Sequence, residues 1–176
     1  SKDAGMRVKA KCAAGWLVMN NLSTASVYTN TIDRAEEFAK LLQQEIVVIA
    51  ESTASCKAVH SKLSHAVHTD RITYLKADTF QQDCVMYKAI VSVRQLCEGF
   101  DFKALEAVIM VDEVDPEKLP QFIGRARRYD GKKVKGCALL FGDDRAADGA
   151  TAYLYANDPG QKIVTIGTVA ESYAAE

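Results

Sequence analysis

The chain has no apolar stretch near the ~20 residues that a membrane-spanning helix needs, and its N-terminus lacks the layout of a signal peptide. The expectation is an intracellular protein, cytoplasmic or nuclear, with no membrane partner and no secretion. Positive charge is not in excess either: 22 Lys and Arg against 23 Asp and Glu leave a formal net charge of −1. Binders of nucleic acid without sequence preference usually carry a basic surplus that releases counterions from phosphate. Any nucleic-acid contact is therefore expected to be local and shared with another domain. The five cysteines are odd in number and scattered, which argues against a disulfide framework and for a reducing compartment. The sequon Asn21-Leu-Ser23 then carries no meaning. No Gly-x-x-x-x-Gly-Lys-Ser/Thr appears, so no P-loop cradles phosphates. No Gly-x-Gly-x-x-Gly follows the first strand candidate, which weakens a Rossmann-like nucleotide enzyme.

What remains is an ordinary globular composition, 48% hydrophobic and 26% charged, over 176 residues. That length fits one domain with enough chain to bury a core. Strand candidates are Ser26–Thr29, Ile46–Ala50, Arg71–Leu75, Lys88–Val93, Ala107–Val111 and Gly136–Phe141. Most are short apolar runs, the pattern of strands covered on both faces in a parallel sheet. Between the first two, Ile32, Ala35, Phe38, Ala39 and Leu42 trace a helical stripe, with Asp33 and Glu36 placed for a capping box. A second helix is expected from Thr53 to about His68 and a short third near Ala77–Met86. This alternation predicts an α/β fold with an open, mostly parallel, doubly wound sheet and helices on both faces. Residues 1–24 form a partly helical lead-in with Trp16, Leu17 and Met19 as packing groups, and 25–142 form the main unit. Residues 143–176 form a C-terminal extension in which Tyr153–Tyr155 and Lys162–Ile166 flank a turn at Asn157-Asp-Pro-Gly160, a possible hairpin.

The stretch Gln121-Phe-Ile-Gly124-Arg125-Ala-Arg-Arg128 stands out chemically. On a helix opening at Pro116 or Pro120, Gln121, Arg125 and Arg128 fall at i, i+4 and i+7, on one face. Arginine presents planar, permanently charged donor forks that suit phosphate oxygens, so two on one face make a phosphate clamp. Gly124 leaves the helix surface bare where a large ligand approaches. Upstream, Ser92-Val93-Arg-Gln-Leu96-Cys-Glu98-Gly99-Phe-Asp101 follows an apolar strand candidate, and Ser26-Val-Tyr-Thr29-Asn30-Thr31-Ile-Asp33 precedes the first helix. In open α/β sheets ligands bind outside the carboxyl ends of the strands. All three motifs follow strands, so parallel strands would deliver them to one edge.

In this order the three resemble motifs IV, V and VI of the second, C-terminal RecA-like domain of superfamily 2 helicases and translocases. The wording of the middle motif is most similar to the DExH-type translocases. The likeness covers roughly residues 25–142. It implies an ATP-dependent nucleic-acid motor in which Arg125 and Arg128 reach the triphosphate bound on a partner domain, with Gln121 near the γ-phosphate or the attacking water. Asp101 would accept hydrogen bonds from a ribose or the arginines, and Gly99 would let the backbone approach the ligand closely. Ser92, Thr29, Asn30 and Thr31 would contact DNA or RNA phosphates through hydroxyls and backbone N–H groups. Ser92 can equally be a satisfied buried hydroxyl, and Thr31 and Asp33 can simply cap their helix. The resemblance further implies ATP with Mg2+, held mainly by a P-loop-bearing RecA-like domain on the same or another chain. This chain alone is expected to be inactive.

Other constellations are set aside. Val108-Ile-Met-Val111-Asp112-Glu113 looks like a strand ending in a metal-binding Asp-Glu, but without a P-loop it has no Mg-nucleotide to hold, so a solvent-facing strand end is expected. Cys56, His60, His65 and His68 lie close in sequence. On a helix, however, only Cys56 and His60 share a face, and tetrahedral zinc needs convergent ligands; no metal site is expected. Cys97 has no nearby histidine to make it a nucleophile, and Tyr153 and Tyr155 read as one face of a strand. A noncatalytic helicase-like module that binds protein or nucleic acid is the alternative from a different class.

Overall fold

The computed structural model of the chain describes residues 2–76, 85–93, 105–112, 137–141, 152–156 and 164–165. In chain order the elements are α1 (Lys2–Met19), β1 (Thr24–Thr29), α2 (Ile32–Ala50), β2 (Ala54–Val59), α3 (His65–Lys76), β3 (Tyr87–Val93), β4 (Ala107–Met110), β5 (Cys137–Phe141), β6 (Ala152–Ala156) and β7 (Val164–Thr165). They build one sheet in the order β2-β3-β1-β4-β5-β6-β7. The first five strands in that order are parallel, while β6 and β7 continue the sheet antiparallel. This is the open α/β architecture expected from the strand runs.

The helices fall on both faces for a topological reason. From β1 the chain moves outward past β3 to β2, and from β2 it moves back to β3. Crossovers between parallel strands are right-handed, so a reversal of direction sends successive helices to opposite faces. Accordingly α1 and α2 pack together on one face, over Ala25, Val27, Ala89, Val91, Ala107 and Ile109. On the other face Leu75 and Ile72 of α3 pack with Val59 and Ile90.

The helical stripe of α2 is as expected and longer: Ala35, Phe38, Ala39, Leu41, Leu42 and Ile46 are buried. Its length corrects one strand assignment, because Ile46–Ala50 is the last turn of this helix rather than a strand. Ile46 continues the stripe one turn beyond Leu42, while Val48 is 72% exposed. Packing of one face outweighed the β preference of a branched run. The next strand lies at Ala54–Val59, inside the stretch expected to be helical, and the expected strand Arg71–Leu75 lies inside α3. Ala-Ser-Cys-Lys-Ala-Val has little β preference. It serves as an edge strand of the described sheet, alternating buried Cys56, exposed Lys57 and buried Ala58. The third expected helix falls almost wholly outside the described residues.

Helix α1 is a full layer of the core. Met6, Ala10, Cys12, Ala13, Ala14, Trp16 and Leu17 are buried in it, but Met19, expected to pack, is 58% exposed. The helix ends in a Schellman motif: Leu22 N–H donates to Leu17 O at 2.9 Å and Asn21 N–H to Val18 O at 3.2 Å. Asn21 takes the left-handed position, φ 53°, that this closure requires.

Candidate functional site

All five parallel strands release the chain at one edge of the sheet. From β1 it turns toward β2, whereas β5, the next strand after β4, lies on the opposite side. Strands β1 and β4 are neighbours in register, Ala25 beside Ala107 and Tyr28 beside Met110. The crevice beyond their carboxyl ends is therefore a topological switch point, where ligands of open α/β sheets bind.

Asp112 sits in this crevice just after β4. Val111 extends the ladder with its N–H on Tyr28 O at 3.0 Å. The Asp112 carboxylate then accepts three hydrogen bonds: Asn30 N–H at 2.7 Å and Arg34 Nε at 3.0 Å on Oδ2, and Arg34 Nη2 at 2.5 Å on Oδ1. The expectation of a solvent-facing strand end is overturned, since Asp112 is only 6% exposed. A carboxylate leaves water at this depth only when it is paired and hydrogen-bonded. A forked guanidinium plus a backbone N–H meets that need. No local pattern could reveal the pairing, because the partner lies 78 residues away in the chain.

The loop between β1 and α2 carries three of the expected nucleic-acid contacts. Thr29 is buried, and its hydroxyl donates to Thr31 O at 3.2 Å. Thr31 is the N-cap of α2, with extended backbone and Oγ1 accepting from Arg34 N–H at 3.2 Å. The expected capping box of Asp33 and Glu36 does not form: Asp33 lies in the first turn, where its charge favours the helix dipole, and Glu36 reaches His60. Asn30 is exposed. Its Oδ1 accepts from Tyr28 Oη at 2.9 Å, which leaves its Nδ2 donors without a partner among the described residues. Ser92, the fourth expected contact, is buried within β3, and its hydroxyl donates to Val27 O at 3.4 Å. The structure thus brings Thr29, Asn30 and Thr31 to the crevice and leaves Ser92 one strand away from it, on β3. Gln121, Gly124, Arg125, Arg128, Gly99 and Asp101 lie outside the described residues. The chain does leave β3 toward Gly99 and β4 toward Gln121 at this same edge.

Two further polar groups border the edge, and neither was singled out as a contact from the sequence. Lys9 of α1 is fully buried, with Nζ donating to Val111 O at 2.7 Å and standing 5.8 Å from the centre of the Phe141 ring. A lysine on the same helical stripe as Ala13 and Trp16 was the available signal. His60, just past β2, meets Glu36 Oε1 at 2.6 Å through Nε2. Its Nδ1 accepts from Lys62 N–H at 3.3 Å, so the proton sits on Nε2 and is donated to Glu36. Cys56 and His60 belong to β2 and the turn after it, not to the helix on which they were compared. Among the described residues no group of three or more His, Cys, Asp or Glu could hold a metal ion. Burial pushes the thiols of Cys12 and Cys56 up to about 12, which makes both inert as nucleophiles. Among the described residues no helix is long and apolar enough to cross a membrane.

Known proteins resemble this arrangement. The type ISP restriction-modification enzyme LlaBIII bound to DNA superposes with a TM-score of 0.57 at 17% identity, over 96% of this chain and 11% of that one. Domain 2 of the DEAD-box helicase Mss116p bound to an RNA duplex gives 0.52 at 17%, over 78% and 52%. Helicase Lhr of Mycobacterium smegmatis, bound to single-stranded DNA and AMP-PNP, gives 0.51 at 22%, over 74% and 16%. At such identities the likeness is one of fold, and the chain spans about half or less of the length of these three proteins. A comparison with curated protein sequences finds no match. The helicase conserved C-terminal domain matches residues 10–130, a span from the middle of α1 past β4 that takes in both sides of the switch point, and the chain belongs to that family.

Proposed function

We propose that this chain is the second RecA-like domain of an ATP-dependent nucleic-acid helicase or translocase of superfamily 2, of the DExH type, and that the β1–α2 loop contacts the nucleic-acid backbone. One observation carries the reading. Asn30, an exposed residue at the switch point of a helicase C-terminal domain, has its backbone N–H and Oδ1 satisfied internally and its Nδ2 donors unpaired among the described residues. Amide and hydroxyl donors held at fixed positions suit phosphate oxygens, which are read without regard to base sequence. Lhr, LlaBIII and Mss116p, whose folds are similar, are bound to DNA or RNA in their structures.

The described residues do not fit Mg2+. The carboxylate of Asp112 is already shared between Arg34 and Asn30, which leaves no uncompensated oxygen charge for a hard cation. ATP and its metal are accordingly assigned to a P-loop-bearing partner domain. Gln121, Arg125 and Arg128, with Gly99, Asp101 and Gly124, are assigned to the triphosphate side of the interface on the strength of their motifs.

Arg128→Ala in the protein that unites both domains is the test. Nucleic-acid-stimulated ATP hydrolysis is expected to fall on the order of 10³-fold in kcat with nucleotide affinity largely kept, because an arginine finger acts on charge developing in the transition state. Arg127→Ala, about 100° round a helix from Arg128, is the control and should cost far less. Equal damage from the two breaks the helical-face assignment. Full activity in both turns the reading toward a noncatalytic module.

A further inference from the structure

Asp112 is almost wholly buried, yet it holds both sides of the crevice. Its carboxylate ties Asn30 N–H to the end of β4, and the Arg34 fork ties the first turn of α2 to the same point. Lys9 braces the adjoining residue from behind through Val111 O. Replacing a buried ion pair by apolar groups often leaves stability unchanged, whereas its directional bonds constrain geometry. The bonds converge on the one loop whose exposed amide has its orientation set by Tyr28. Arg34, a cation beside a loop offered to phosphate, is committed to Asp112 and is only 22% exposed in its side chain.

We propose that Asp112 and Arg34 are positioning residues for nucleic-acid binding: their bidentate pair, with the Asn30 N–H on the same carboxylate, sets the β1–α2 loop in the conformation that presents Asn30 and Thr31 to a phosphate. The inference rests on the assignment of that loop to the nucleic-acid backbone. Neither Asp112 nor Arg34 touches the nucleic acid. Removing one of them therefore weakens binding without removing a phosphate contact, and the salt dependence of binding keeps its slope. Losing a direct contact between a cationic side chain and a phosphate instead lowers the slope by roughly one unit.

The experiment uses the full chain with fluorescein-labelled oligothymidylate and oligouridylate, read by anisotropy across a salt series, and amide hydrogen exchange of the free protein. Asp112→Asn is expected to speed exchange at Asn30 and Thr31 about tenfold or more while β1 and β3 keep their protection. Affinity for both oligonucleotides should fall about tenfold at an unchanged salt slope. Arg34→Gln, at a partly exposed position, should do the same and serves where Asp112→Asn does not fold. Exchanging the pair, Arg34→Asp with Asp112→Arg, should restore part of the affinity. Asn30→Ala separates the two layers of inference. If Asn30→Ala weakens binding while Arg34→Gln leaves affinity and Asn30 exchange at the wild-type level, the positioning role is overturned and the loop assignment stands. If Asn30→Ala leaves binding unchanged, the loop assignment fails and the positioning role with it. A salt slope lowered by Arg34→Gln makes Arg34 a direct contact and also overturns the proposal.

Discussion

Beneath α1 and α2 the sheet presents Ala25, Val27, Ala89, Val91, Ala107 and Ile109, and the helices answer with Met6, Phe38, Leu42 and Ile46. On the opposite face the same strands bury Ser26, Tyr28, Lys88 and Ser92 among their apolar residues. Lys88 reaches Tyr74 O at 3.1 Å and stands 4.6 Å from the centre of the Tyr74 ring. The first face is held by area removed from water, which is nondirectional and tolerant of detail. The second is held partly by hydrogen bonds that fix where groups sit, and Tyr28 and the crevice continue from it. Stability and geometry are thus divided between the faces, and substitutions should separate them.

The largest effect expected is kinetic. Cys12 and Cys56 both lie in the α1/α2 core with thiols pushed up to about 12 from 9.0. At about pH 8 each should alkylate with iodoacetamide about 10³-fold more slowly than in the urea-unfolded chain. A folded value above the unfolded one gives stability that is complete below the unfolded pKa and lost as pH climbs from about 9 toward 12. Alkylation at the unfolded rate would break the picture of a sealed face. Next in size, Phe38→Ala should cost about 3–5 kcal/mol in urea unfolding, since Phe38 has no exposed surface. Oligonucleotide affinity of the folded fraction should be unchanged; a parallel loss of affinity would show that the two roles are not divided.

Thr31→Ala tests the polar side at lower cost. Loss of the N-cap should destabilise by about 0.5–2 kcal/mol, and oligonucleotide affinity should fall as well if the hydroxyl meets a phosphate. Unfolding that shifts while affinity stays fixed would reduce Thr31 to a cap. The smallest effect sharpens the boundary of α2. Val48 is 72% exposed, so Val48→Ala should stabilise by about 0.5 kcal/mol through helix propensity alone. Destabilisation of that size would favour a strand there instead.

The strands of the sheet centre were legible because each is a short apolar run with little choice of structure: Ser26–Thr29, Lys88–Val93 and Ala107–Val111 coincide closely with β1, β3 and β4. The α2 stripe was legible through its period. Between residues 46 and 76 the structure departs from local preference, helix for strand and strand for helix. Ile-Val-Val-Ile has strong β preference and Ala-Ser-Cys-Lys-Ala-Val has little, and both were overruled by neighbours. Thr29, Asn30 and Thr31 fall together at the crevice because they are contiguous and follow β1 directly. The burial of Asp112 leaves no local signal because its partners, Asn30 and Arg34, come from another part of the chain.

Taken alone, the amino-acid sequence determined the alternation of strand and helix at the sheet centre, the parallel class of the sheet and the identity of the motif residues. These follow from period and residue type, which are local properties. Tertiary structure decided where the segment from Ile46 to Lys76 changes from helix to strand and back, which residues of α1 face the core, and that Asp112 is buried under Arg34 and Asn30. The physical reason is the same in each case. Burial and charge pairing are set by groups far apart along the chain, and their combined free energy exceeds the few tenths of a kcal/mol per residue by which local propensities differ.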